Sequence, residues 1–216
     1  MYYLSFDCAT KTFAYSLSYV NLNAASIRGF LNELNELNEL NELNELNELN
    51  ELNELKSKII KLIDGETIDF FPKIPDNKID TVERIQKISN YVKDIIFPKI
   101  KDIKNIEIFI EFQMGSNHKA RMISSALISL FSSYKVRLIS PSLKNKVFIS
   151  EEGKHKHFIK KYKSLYTANK EHAKYNFSLI ENIFLSNIKL TNKEDRGHIA
   201  DSFMQVLGFL LYSKYK

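Results

Sequence analysis

Three acids and a histidine in this chain stand where such groups are costly. Asp7 closes the run Leu4-Ser5-Phe6, so a carboxylate ends a stretch otherwise built for the interior of a sheet. A charge entering that interior is expensive unless it is paired or metal-bound. The plainer alternative is an aspartate that ends a strand and starts a turn. Glu111 lies in "NIEIFIEFQ", where a period of two sends Ile106, Ile108, Ile110 and Phe112 to one face and Glu107, Phe109, Glu111 and Gln113 to the other. The polar end of that strand is either a rim facing solvent or one wall of a carboxylate site. In "HIADSFMQVLGFLLY", His198 and Asp201 are three apart and Gln205 follows four later, so on a helix the three share a face. An imidazole and a carboxylate so placed can collect a metal ion, while Ile199, Phe203, Val206 and Leu210 turn towards a core. Helix capping by Asp195 or Asp201 is the competing explanation, and it accounts for one acid better than for the His-Asp pair.

Those residues need strands and helices to bring them together. Residues 2–8 and 12–22 are rich in strand formers, and 58–71 reads as a third strand. "TVERIQKISNYVKDII" (81–96) spaces Val82, Ile85, Ile88 and Val92 as a helix does, with Pro98 closing it. A strand over 105–115, a helix over 118–131, a short strand over 134–141 and helices over 170–184 and 198–212 follow. Alternating elements predict an α/β fold, a class that places ligands just beyond the carboxyl ends of its strands. Asp7 stands at such an end.

Composition narrows the function classes. With 216 residues and 44% hydrophobic content the chain can build one well-buried domain spanning 1–216. Residues 32–55 are eight copies of Asn-Glu-Leu, an insertion between the second and third strands. A period of three turns about 300° per repeat on a helix, so its leucines drift over every face and make a poor coiled-coil seam. Tandem expansion without function explains it most simply, with a partner-binding arm as the alternative. The repeat carries 8 of the 26 acids, so the formal charge of +5 becomes 31 against 18, or +13, elsewhere. Such a body suits a polyanion such as nucleic acid, although excess lysine also serves solubility. The stretch 151–170 interleaves Lys154, Lys156, Lys160, Lys161 and Lys163 with Phe158 and Tyr162, fit for phosphates and opened bases or for plain solvation. No run approaches the roughly 18 to 20 apolar residues of a membrane span. One cysteine, Cys8, a buried strand residue by its context, and the lack of a basic leader fit a soluble, intracellular protein.

The order of "LSFDCATKTFAYSL", "IFIEFQMGSNHKARMISSALISLF", "ISPSLKNK", "NKEHAK" and "HIADSF" resembles the RuvC-like Holliday junction resolvases of the RNase H-like superfamily. The poxvirus and fungal mitochondrial branches are most similar, through the Glu-x-Gln ending of the fourth strand and the Asp-Ser-Phe of the last helix. The likeness spans nearly all of the chain except the repeat and 151–168. It implies a mixed central sheet of about five strands flanked by helices, and a homodimeric, metal-dependent endonuclease that nicks opposed strands of a four-way DNA junction symmetrically. Within that family the first-strand acid corresponds to Asp7, the fourth-strand acid to Glu111 and the last-helix acid to Asp201. His198 stands where the family often has another acid, which lowers the negative charge of the site and favours Mn²⁺ relative to Mg²⁺. Two such ions, about 3.5–4 Å apart, can activate the attacking water and stabilise the leaving oxygen. The metal ligands implied are thus Asp7, Glu111, His198 and Asp201, with Asp7 bridging the ions. Asp195 is left to capping or support, and no nucleotide cofactor and no membrane are implied. A lysine near the scissile phosphate is also expected, with Lys144 and Lys170 as the two candidates. A viral source, consistent with the resemblance, would place the protein in host cytoplasm where viral DNA replicates. The same fold and acids also serve nucleases of RNA–DNA hybrids or other branched DNA, and His198 leaves open a degenerate protein that binds junctions without cutting them.

Overall fold

Strand-forming residues fold the first twenty positions back on themselves. β1 (Tyr2–Asp7) and β2 (Phe13–Val20) pair antiparallel, with Leu4 opposite Leu17 and Phe6 opposite Tyr15. β3 (Ile60–Ile68) extends β2 antiparallel, past a bulge at Leu17/Ser18. On its other side β1 takes β4 (Ile106–Glu111) in parallel, and β5 (Lys135–Ile139) lies parallel beyond β4. The order β3-β2-β1-β4-β5 is the expected mixed sheet of five strands. The structure, a computed structural model, describes residues 1–8, 12–21, 29, 60–112, 117–144, 147, 159–162, 164–165, 167–169, 171–172, 174–175, 177 and 193–212, the last stretch with side chains from Gly197 onward. The Asn-Glu-Leu repeat, between β2 and β3 in sequence, lies outside them, as does most of the basic stretch 151–170.

Helices cover both faces. α1 (Thr81–Tyr91) starts at Asp80, whose carboxylate accepts the Glu83 N–H at 3.0 Å. Pro98 does not close this helix as its position suggested. A wide turn over Val92–Ile96, in which the Phe97 N–H reaches back to the Val92 carbonyl, leads into α2 (Phe97–Ile100) with Pro98 in its first turn. The widened turn accommodates a residue that lacks an N–H and clashes with the carbonyl four back. The buried line along α1 and the wide turn also differs from the expected one: it runs through Arg84 and Ile88 of α1 and Val92 and Ile96 of the turn, and Val82 is exposed. α3 (His118–Leu130) is capped by Asn117, whose side chain accepts the Ala120 N–H at 3.1 Å. Ile88, Val92, Ile96, Ile123, Leu127 and Phe131 from this helical layer pack on Leu4, Phe6, Phe13, Leu17, Ile108 and Ile110.

α4 (Lys193–Tyr212) takes the opposite face. It begins five residues earlier than its apolar half predicts, so Asp195 lies in its first turn and Asp201 in its interior, where an acid does not cap. Ile199, Phe203, Val206, Leu207 and Leu210 meet Tyr3, Val20, Ile60, Leu62 and Phe109 of the sheet, and Val147 and Phe177 join the same core. With the sheet on one side and these residues in its core, α4 is buried from Ile199 to Leu211. The expected helix over 170–184 is helical at its described positions from 171 to 177. Among the described residues no helix is long and apolar enough to cross a membrane.

Candidate active site

Parallel pairing of the central strands is what gathers the acids. β1 and β4 run together with Phe6 opposite Ile110, so the next residues, Asp7 and Glu111, end neighbouring strands on the face that α4 covers. The period-two reading of "NIEIFIE" holds: Ile106, Ile108 and Ile110 face the α1–α3 layer, and Phe109 faces α4. α4 then lays His198, Asp201 and Gln205, one helical stripe, across the two strand ends. Asp7, Glu111 and Asp201 are 6%, 7% and 5% exposed, too buried for solvent to screen one carboxylate from another.

Each group has a defined partner. His198 Nδ1 lies 2.8 Å from Asp7 Oδ2, and His198 Nε2 lies 2.9 Å from Thr12 Oγ1. The carboxylate accepts, so Nδ1 carries a proton. Gln205 Nε2 donates to Glu111 Oε2 at 2.9 Å, and Ser5 Oγ donates to Gln205 Oε1 at 3.2 Å. Ser124 Oγ ties the Glu111 carbonyl to α3 at 3.3 Å. Lys144 Nζ stands 3.0 Å from Asp201 Oδ2 and 4.0 Å from Glu111 Oε1. Of the two candidate lysines, Lys144 therefore meets the acids, and Lys170 lies outside the described residues, as does Gln113. Thr12 and Ser5 are members of the site that spacing did not single out. Ser5 had a signal in hindsight, being two residues before Asp7 and hence on its face.

The charges settle unevenly. Burial alone pushes the Glu111 carboxyl up, the Asp7 and Asp201 charges push further against the pull of Lys144, and the result is about 8. Burial also works against ionised Asp7, but the hydrogen bond from His198 and the Lys144 ammonium outweigh it and hold Asp7 below its ordinary value. Lys144 is buried too, and the carboxylates of Asp201, Glu111 and Asp7 more than compensate, keeping it charged well above the usual lysine range. Near neutral pH the cluster thus holds ionised Asp7, a protonated Glu111 that hydrogen-bonds to it, and the Lys144 ammonium. Behind it the Cys8 thiol is buried and pushed up, an inert packing residue.

No protein-family model matches the chain, and no curated protein matches it in sequence. Solved structures do match. Fowlpox virus resolvase with its substrate Holliday junction DNA superposes with a TM-score of 0.55 at 15% identity, over 100% of both chains. RuvC of Thermus thermophilus matches 99% of this chain and 96% of its own, at 12% identity and a TM-score of 0.52. The chain shares their fold. The complex of the Thermus thermophilus protein with Holliday junction substrate matches at 12% identity and a TM-score of 0.51.

The donor set has the chemistry for a divalent cation of the hard, oxygen-preferring kind: three buried carboxylates from three elements, crowded enough that one retains its proton. Among the described residues no three acids or histidines stand around a common point at ligand geometry, and the cation in their midst is the Lys144 ammonium. Both ring nitrogens of His198 are engaged, so as placed it orients Asp7 and would have to release Thr12 to ligate through Nε2.

Proposed function

We propose that this protein is a metal-dependent endonuclease that resolves four-way DNA junctions by paired, symmetrical nicks, acting as a homodimer. The observation that carries the reading is the convergence of Asp7, Glu111 and Asp201, from β1, β4 and α4, in one buried cluster with Lys144. Its support is a fold shared with a RuvC protein and a poxvirus resolvase, each known in a structure with Holliday junction DNA. Asp7, Glu111 and Asp201, with His198 as a fourth donor, are the residues to hold Mg²⁺ or Mn²⁺. When bound, the ions supply activation of water and stabilisation of the leaving oxygen. The remaining roles belong to the chain. His198 holds Asp7 ionised and oriented, Gln205 aims Glu111, and Lys144 brings a fixed positive charge to where a phosphate must sit. Outside the repeat, a charge of +13 suits the backbone of branched DNA.

Asp7→Asn, Glu111→Gln and Asp201→Asn test the assignment. Each should bind a junction in EDTA as the wild type does and lose cleavage with Mg²⁺ and Mn²⁺ alike. Cleavage at wild-type rates by all three would remove the cluster from the chemistry. One observation favours a second reading, junction binding without cutting: every cationic or imidazole group in the cluster already has a protein partner. Failure of the wild type to bind Mn²⁺ would select it.

A further inference from the structure

We propose that Gly208, in the interior of α4, is a positioning residue that seats Lys144 in the carboxylate cluster. The catalytic part of this role rests on the nuclease reading above; the seating itself does not. After β5 the chain makes a tight turn in which the Leu143 N–H donates to the Ser140 carbonyl at 3.0 Å, and Ser140 Oγ meets Ser142 Oγ at 2.8 Å. Leu143 then packs on the core built around α4, and Lys144 follows directly. A Cβ at position 208 would fall 2.7 Å from the Leu143 carbonyl carbon and closer still to its oxygen, with Leu143 Cβ at 3.2 Å. The obstruction is backbone, which cannot swing aside as a side chain can. Glycine is the poorest helix former after proline, so its use here, in a buried stretch of otherwise good packing residues, answers to that close approach. The consequence is geometric. Lys144 is one residue beyond the contact, and its ammonium ends 3.0 Å from Asp201 Oδ2 and 4.0 Å from Glu111 Oε1, its side chain only 14% exposed. Lifting Leu143 off the helix lifts Lys144 out of the cluster with no change of charge.

Gly208→Ala should therefore act through Lys144. In metal-free protein, acylation of Lys144 by an amine-directed reagent, read by mass spectrometry against exposed Lys101, should rise at least tenfold in Gly208→Ala. Junction cleavage should fall in Gly208→Ala by about as much as in Lys144→Ala, and adding Gly208→Ala to Lys144→Ala should cost nothing further. Leu143→Gly loosens the same seat without a clash and should release Lys144 likewise, which covers the case of a Gly208→Ala protein that does not fold. Slow, wild-type labelling of Lys144 in the folded variants would overturn the seating. A double variant far below Lys144→Ala would show that Gly208 acts by some route other than Lys144. The labelling arm stands even if the wild type cuts no DNA, a result that would count against the nuclease reading alone.

Discussion

Replacing Glu111 with glutamine should make the metal-free protein more stable at alkaline pH while leaving it unchanged near pH 4.5. In the unfolded chain Glu111 ionises near 4.5, and in the folded protein near 8. Below 4.5 both states hold the proton, and above 8 neither does. Between those values only the folded state holds it, so unfolding releases a proton and stability falls as pH rises. The stabilisation that the protonated carboxyl contributes is full below 4.5 and is lost through about 8. At about 1.4 kcal/mol per pH unit the interval sets a ceiling of about 5 kcal/mol, and local relaxation and water penetration reduce the expected loss to roughly 2–4 kcal/mol. Glutamine keeps the shape and an acceptor for Gln205 Nε2, and it has no proton to lose. Urea unfolding of wild type and Glu111→Gln in EDTA, at unit steps from pH 5 to 9, should show the variant gaining on the wild type at each step up to about pH 8 and holding that lead at 9. A stability difference that is flat across that range would refute the account of a carboxyl crowded by Asp7 and Asp201.

Three further outcomes follow from the same site. Mn²⁺ binding, measured by titration calorimetry, must displace the Glu111 proton, so affinity should rise by up to about tenfold per pH unit from 6 to 8 and then level off. Gln205 is fully buried and bridges Ser5 to Glu111, so Gln205→Ala should cost about 2–4 kcal/mol in urea unfolding through two unpartnered polar groups and a cavity. Junction affinity should fall about a thousandfold between 50 and 200 mM salt if the basic body neutralises six or so phosphates, and a flat response in a binding titration would remove the backbone contacts from the account.

How far the sequence reveals this site depends on the kind of order involved. Asp7 and Glu111 are legible because a strand's period of two is rigid, and a run such as "NIEIFIE" leaves no choice of which side each residue takes. The stripe His198, Asp201, Gln205 is legible for the same reason on a helix. Boundaries are less so. The charged "KEDRG" belongs to α4 although it looks like the loop before it, because a helix anchored by packing further along can be prolonged by its own backbone hydrogen bonds without an apolar stripe. Pro98 reads as a stop, and only the widened turn at 92–96 lets the chain carry on as helix. That Lys144 meets the acids was beyond periodicity, since it depends on where a turn docks on a helix far away in sequence. Thr12 was hidden likewise, its hydroxyl reaching His198 across 186 positions.

The most direct test is cleavage of a labelled four-way junction by wild-type protein with Mg²⁺ and with Mn²⁺, beside a linear duplex and an RNA–DNA hybrid. The account predicts paired nicks at symmetrical positions on opposed strands of the junction, none in the duplex or hybrid, and no nicks with Asp7→Asn. Cutting of the hybrid in preference to the junction, or nicks that persist in Asp7→Asn, would contradict it.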